Sequence, residues 1–93
     1  MLVPSPSFVA YAASKAAVAS ITQTLAAELV GENIFCNAIA PSLIDTPANR
    51  ASMPDADFDR WPKASELAQV IANLASPDNR VTSGALVPVY GRA

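Results

Sequence analysis

Residues 33–40 read NIFCNAIA, a nearly continuous apolar run closed by Pro41. A strand of this kind is covered on both faces, as in a parallel sheet flanked by helices, whereas a half-exposed strand alternates. The flanking segments fit that demand. Upstream, residues 11–30 read as one long helix rich in alanine, with Leu25, Glu28 and Leu29 as further strong formers and Gly31 as its stop signal. Val18, Ile21, Leu25 and Leu29 fall at i, i+3, i+7 and i+11 and predict a packing stripe, while the alanines predict a second contact face. Downstream, a second helix is expected from residue 64 or 65 through 75, with Leu67, Val70, Ile71 and Leu74 on one face and Ser76-Pro77-Asp78-Asn79 ending it. Residues 85–90 (ALVPVY) form a short strand whose Pro88 requires an edge or a strand end.

Between strand and second helix, residues 41–62 turn to Ser, Asp, Asn and Pro while retaining Met53, Phe58 and Trp61. Such a stretch is a functional loop, or those three side chains plug a satellite core. Residues 1–8, punctuated by Pro4 and Pro6, are expected to be irregular. The order of helix, buried strand, loop, helix and strand is half of a doubly wound α/β domain, and two parallel strands do not make an adequate sheet alone. The expectation is a single partial domain over residues 1–93 with its N-terminal half absent.

Composition narrows the chemistry. A chain of 93 residues buries only about 60–65% of its unfolded surface. A hydrophobic fraction of 52% is high for that size and suggests apolar surface that something else covers. That cover is either another part of the same domain or a partner subunit. The net charge of -2 and the scattering of Lys15, Arg50, Arg60, Lys63, Arg80 and Arg92 argue against nucleic acid. Cys36 is the only cysteine, which excludes an internal disulfide and a cysteine-based zinc cluster and makes a cytoplasmic setting the default. With no histidine, Ser-His-Asp, Cys-His and HExxH chemistry are excluded within the chain. Neither a signal peptide nor a membrane-spanning run is expected.

Tyr11 and Lys15 stand four residues apart, so a helix brings phenol and ammonium to one face. A fixed cation beside a phenol favours the phenolate, and a phenol so assisted can give a proton to a developing alkoxide or take one from an alcohol. Many helices contain Tyr-x-x-x-Lys with the tyrosine in the core and the lysine reaching to water. Asn37, the polar residue inside the apolar run, is expected above all to bond neighbouring backbone.

Three features in this order resemble the C-terminal part of the short-chain dehydrogenase/reductase family: YAASKAAV opening an alanine-rich helix, NAIAPSLIDTP following a buried strand, and TSGALVPVYG at the end. DTPANRASMPDADFDRW more weakly resembles the dihydropteridine reductase-like branch. The resemblance implies a Rossmann-type parallel sheet and an NAD(P)-dependent oxidoreductase that moves a hydride between nicotinamide and a small carbonyl or alcohol substrate. It implies Tyr11 as proton donor or acceptor, and Lys15 as its partner and a ligand of the nicotinamide ribose. Pro41, Ile44 and Thr46 fall where the loop meets the nicotinamide carboxamide and diphosphate, Asn37 takes a structural position, and residues 52–61 form a substrate lid lined by Met53, Phe58 and Trp61. Together with the apolar excess, the resemblance makes a homo-oligomer the expectation. The choice between NAD and NADP is not readable.

The sequence departs from the family in having Pro41-Ser42 where Pro-Gly is usual, which bears on the loop's backbone geometry. No glycine-rich phosphate loop is present, because Gly31, Gly84 and Gly91 are dispersed. The family's serine would lie upstream of the chain, and Ser5 and Ser7 stand too near Tyr11 to replace it. The alternative is accordingly a non-catalytic fragment that serves as an oligomerisation module.

Overall fold

The long helix α1 runs Val9–Leu29 and is followed by a 3-10 turn at Val30–Glu32. Next come strand β1 (Ala38–Pro41), helix α2 (Pro47–Ser52), a 3-10 turn at Phe58–Arg60, helix α3 (Ala64–Ala75) and strand β2 (Leu86–Val89). The structure is a computed structural model that describes residues 9–92. The irregular opening expected at residues 1–8, with Ser5 and Ser7, lies outside them.

β1 and β2 pair in a two-stranded sheet. The Ala38 N–H donates to the Ala85 carbonyl at 2.9 Å and the Ser42 N–H to the Val89 carbonyl at 3.4 Å, the constant offset of parallel strands. The α/β reading therefore holds. Regular strand is confined to residues 38–41 rather than spanning 33–40, because the preceding residues bond irregularly to residues 83–85. Pro88 stands exposed in β2, as an edge position requires.

By their contacts the described residues divide into two compact units, one of residues 9–38 with 81–86, the other of residues 39–80 with 87–92. In the first, the face of α1 that is buried differs from the predicted stripe. Val18, Ile21 and Leu25 are exposed at 49%, 57% and 38%, while Thr22 and Ala26 are each 6% exposed. The reason is steric. At Gly84, whose φ is +78°, an added Cβ would stand 3.3 Å from the Ala26 Cβ, so backbone approaches the helix where its side chains are small. Thr22 tolerates burial because its hydroxyl donates to the Val18 carbonyl at 2.7 Å. The expected second, small-residue face is thus the packed one.

The helix stop is also displaced. Gly31 lies within the 3-10 turn, and the left-handed residue is Asn33, at φ 59°, whose N–H donates to the Val30 carbonyl. Asparagine tolerates this conformation better than other non-glycine residues.

Asn37 laces the same unit together. Its Nδ2 donates to the Thr82 carbonyl at 2.9 Å and its Oδ1 accepts from the Ala85 N–H at 3.0 Å. Alongside it the Gly84 N–H donates to the Cys36 carbonyl at 2.7 Å, and the Cys36 N–H to Ser83 Oγ at 3.1 Å. The amide of this half-buried residue thus serves backbone, as expected. Asn37→Asp keeps the acceptor but turns the donor into a second acceptor facing a carbonyl. We expect it to cost about 2 kcal/mol, read from urea denaturation.

In the second unit α3 begins where expected. Its first turn is closed by the Lys63 N–H donating to Glu66 Oε1 at 2.9 Å. It buries Leu67, half-buries Val70 and Leu74, and leaves Ile71 exposed. Ser76 and Asn79 end it, with Asn79 Nδ2 donating to the Leu74 carbonyl at 2.9 Å. Residues 41–62 are more ordered than a plain loop because Thr46-Pro47 starts a helix. Thr46 is the N-cap, its hydroxyl accepting the Asn49 N–H at 3.2 Å, and Pro47 occupies the first turn, where its missing N–H costs nothing.

Candidate functional site

Tyr11 and Lys15 lie in the first two turns of α1, in the first unit. The Lys15 Nζ sits 5.2 Å from the centroid of the Tyr11 ring, over its face, within the range at which a cation is attracted to a ring. The helical spacing thus brings them together. Tyr11 is 47% exposed, so a solute in the surrounding water can reach the ring. An open apolar groove of about 300 Å³ elsewhere in this unit is lined by Gln23, Ala26, Ala27, Val30, Ser83 and Gly84, none of them a candidate site residue.

The other candidates belong to the second unit. Pro41 is the last residue of β1, and the Ile44 carbonyl accepts from Asn49 Nδ2 at 2.8 Å. The Thr46 hydroxyl, accepting from Asn49, keeps its proton for an oxygen acceptor. Ser42, in place of the usual glycine, donates from Oγ to the Tyr90 carbonyl at 3.1 Å. Its φ is not positive, so serine fits this backbone without strain.

The segment expected to be a lid is anchored at its base. The Asp45 N–H donates to the Pro62 carbonyl at 2.8 Å, and Asp45 forms a parallel bridge with Lys63. Trp61 is only 6% exposed and packs against Phe58 with ring centroids 5.0 Å apart. Met53 alone of the three expected lining residues is exposed, at 43%.

Sequence reasoning missed Asp45 and Arg50. Arg50 Nε and Nη2 donate to the two carboxylate oxygens of Asp45 at 2.6 and 2.8 Å, and the guanidinium lies 4.5 Å from the Phe58 centroid. The hydrogen bond from Arg50 holds the Asp45 carboxyl below the ordinary carboxylate value. The contribution of the pair is thus present above that ordinary value and is lost as pH falls through the lowered one. The detectable signal was the N-cap at Thr46, which puts Arg50 on a helix beginning beside Asp45.

No helix among the described residues is long and apolar enough to cross a membrane. Residues 2–91 match a family model described as enoyl-(acyl carrier protein) reductase. The chain is 39% identical over 89 residues to the 3-oxoacyl-(acyl-carrier-protein) reductase of Thermotoga maritima, covering 87% of this chain and 36% of that protein. It is 40% identical over 82 residues to the dihydropteridine reductase of Dictyostelium discoideum, covering 85% and 36%. Among solved structures it is similar to a 4-hydroxyisoleucine dehydrogenase complexed with NADH, with a TM-score of 0.73, 30% identity and coverage of 88% and 37%. The chain spans little more than a third of the length of these proteins. Matched over nearly its whole length by that family model, with Tyr11 and Lys15 on one helix and with a pair of parallel strands, the chain belongs to the short-chain dehydrogenase/reductase family.

Proposed function

We propose that the chain is part of an NAD(P)-dependent oxidoreductase acting on a small carbonyl or alcohol, with Tyr11 and Lys15 as its acid-base pair. The observation that carries this reading is the Lys15 ammonium held over the Tyr11 ring on an exposed helix face. The Tyr11 hydroxyl holds the proton exchanged with the substrate oxygen, and the Lys15 ammonium is its partner on the same helix face. When bound, the nicotinamide supplies the hydride.

The donor chemistry fits such a cofactor. The Lys15 ammonium suits ribose hydroxyls, and the Thr46 hydroxyl proton suits a phosphate oxygen. Pro41 and Ile44 are proposed as further contacts, on the family resemblance. Met53, Phe58 and Trp61 are proposed to face substrate from the segment 52–61, within the 41–62 loop of a single partial domain, in a cytoplasmic enzyme.

A second reading has its own support. The exposed stripe of Val18, Ile21 and Leu25 on α1 suits a chain that pairs with another, as an oligomerisation module without catalysis. Isothermal titration of NADH and NADPH into the purified chain, with circular dichroism and mass on the same sample, separates the two. The oxidoreductase reading expects saturable binding to a folded species. A folded, self-associated chain that binds neither nucleotide would overturn it in favour of the module.

A further inference from the structure

We infer that Arg50 is the latch of the lid, and that the part that moves is residues 50–57 rather than 52–61. The base is fastened independently of Arg50. Asp45 is paired with Pro62 and Lys63, and Trp61 and Pro62 are buried. The Arg60 carbonyl accepts the Arg92 N–H at 2.9 Å, while Arg60 Nε donates to the Arg92 carbonyl at 3.1 Å.

Helix α2 contrasts with that base. It has six residues, none of them buried, and so short a helix does not hold itself in water. Its first turn is tied by Thr46 and Asn49, which makes that turn the hinge. Beyond the hinge Arg50 reaches back to the base, clamping the Asp45 carboxylate with two hydrogen bonds and covering the Phe58 ring. Asp45 is 9% exposed in its side chain and Arg50 49%, so the clamp closes from the solvent side onto a sheltered carboxylate. Releasing it frees the end of α2 and Met53 while Phe58, Trp61 and Pro62 stay packed. Arg50 is therefore a positioning residue.

That the segment covers substrate rests on the oxidoreductase reading, but the latch does not. Amide hydrogen exchange on the whole chain tests it, comparing wild type, Arg50→Met, Asp45→Asn and the double variant. Trp61, the single tryptophan, reports on the base. Each single variant is expected to exchange about two- to fivefold faster over residues 50–57, with Trp61 emission and α3 exchange unchanged. The double variant is expected to be no faster than the faster single one, because both remove the same interaction. Wild type in about 1 M sodium chloride, where the Debye length is about 3 Å, is expected to move in the same direction without any substitution. Unchanged exchange in Arg50→Met, additive effects in the double variant, or a Trp61 red shift accompanying the faster exchange would each overturn the latch. None of these readouts involves a nicotinamide, so failure here leaves the cofactor titration to stand or fall separately.

Discussion

Tyr11→Phe is expected to lower turnover by about 10²- to 10⁴-fold, the range that a positioned proton donor contributes. The substitution keeps the ring under the Lys15 ammonium and removes only the oxygen that is proposed to carry the proton. It therefore separates proton transfer from packing. Because the chain spans 36% of the Thermotoga maritima reductase, the assay belongs in a chimera that joins it to that protein's N-terminal part. The expected result is a fall in kcat with little change in cofactor affinity. Wild-type turnover in the variant would sink the assignment of Tyr11, and a matching loss of cofactor binding would show the phenol holding the nucleotide rather than the proton.

Gly91→Val is expected to be the most damaging single change to the second unit. A Cβ there would stand 2.7 Å from the Arg60 carbonyl oxygen and 3.0 Å from the Pro62 nitrogen, both backbone atoms that cannot swing aside. The φ of +62° adds the strain of a left-handed β-branched residue, about 1–2 kcal/mol by itself. With the clash included, the loss is expected to reach about 3 kcal/mol in urea denaturation, with Trp61 emission moving to the red as the base opens. Gly31→Ala is the control. No atom of another segment lies within 4 Å of its added Cβ and its φ is not positive, so a change within about 0.5 kcal/mol is expected. Equal losses at both positions would mean that glycine flexibility, not the close approach at residue 91, is what matters.

The two glycines show why sequence is an uneven guide to this fold. Gly31 stands where a helix stop belongs, yet nothing crowds it, and Asn33 makes the left-handed turn. Gly91 carries no local pattern at all. Its requirement comes from Arg60 and Pro62, some thirty residues away, which no window along the chain contains.

The sequence by itself determined the order of α1, β1, α3 and β2, because helix and strand periodicities are local, but it did not find α2, which lies in the stretch expected to be a loop. It determined α3 to within one residue at its start, the apolar character around β1, the backbone role of Asn37, and the sharing of one α1 face by Tyr11 and Lys15. Tertiary structure alone decided which side of α1 is covered. Val18, Ile21 and Leu25 look like the packing stripe by hydrophobicity, but Gly84 approaches where Thr22 and Ala26 leave room. It also decided what holds residues 41–62. The local signal at Thr46-Pro47, passed over in a stretch expected to be a loop, sets Arg50 beside Asp45 only five residues away. The pairing of Arg60 with Arg92 beside the buried Trp61 joins segments some thirty residues apart. Hydrophobic period says which residues prefer to leave water; only the distances between segments say which of them can.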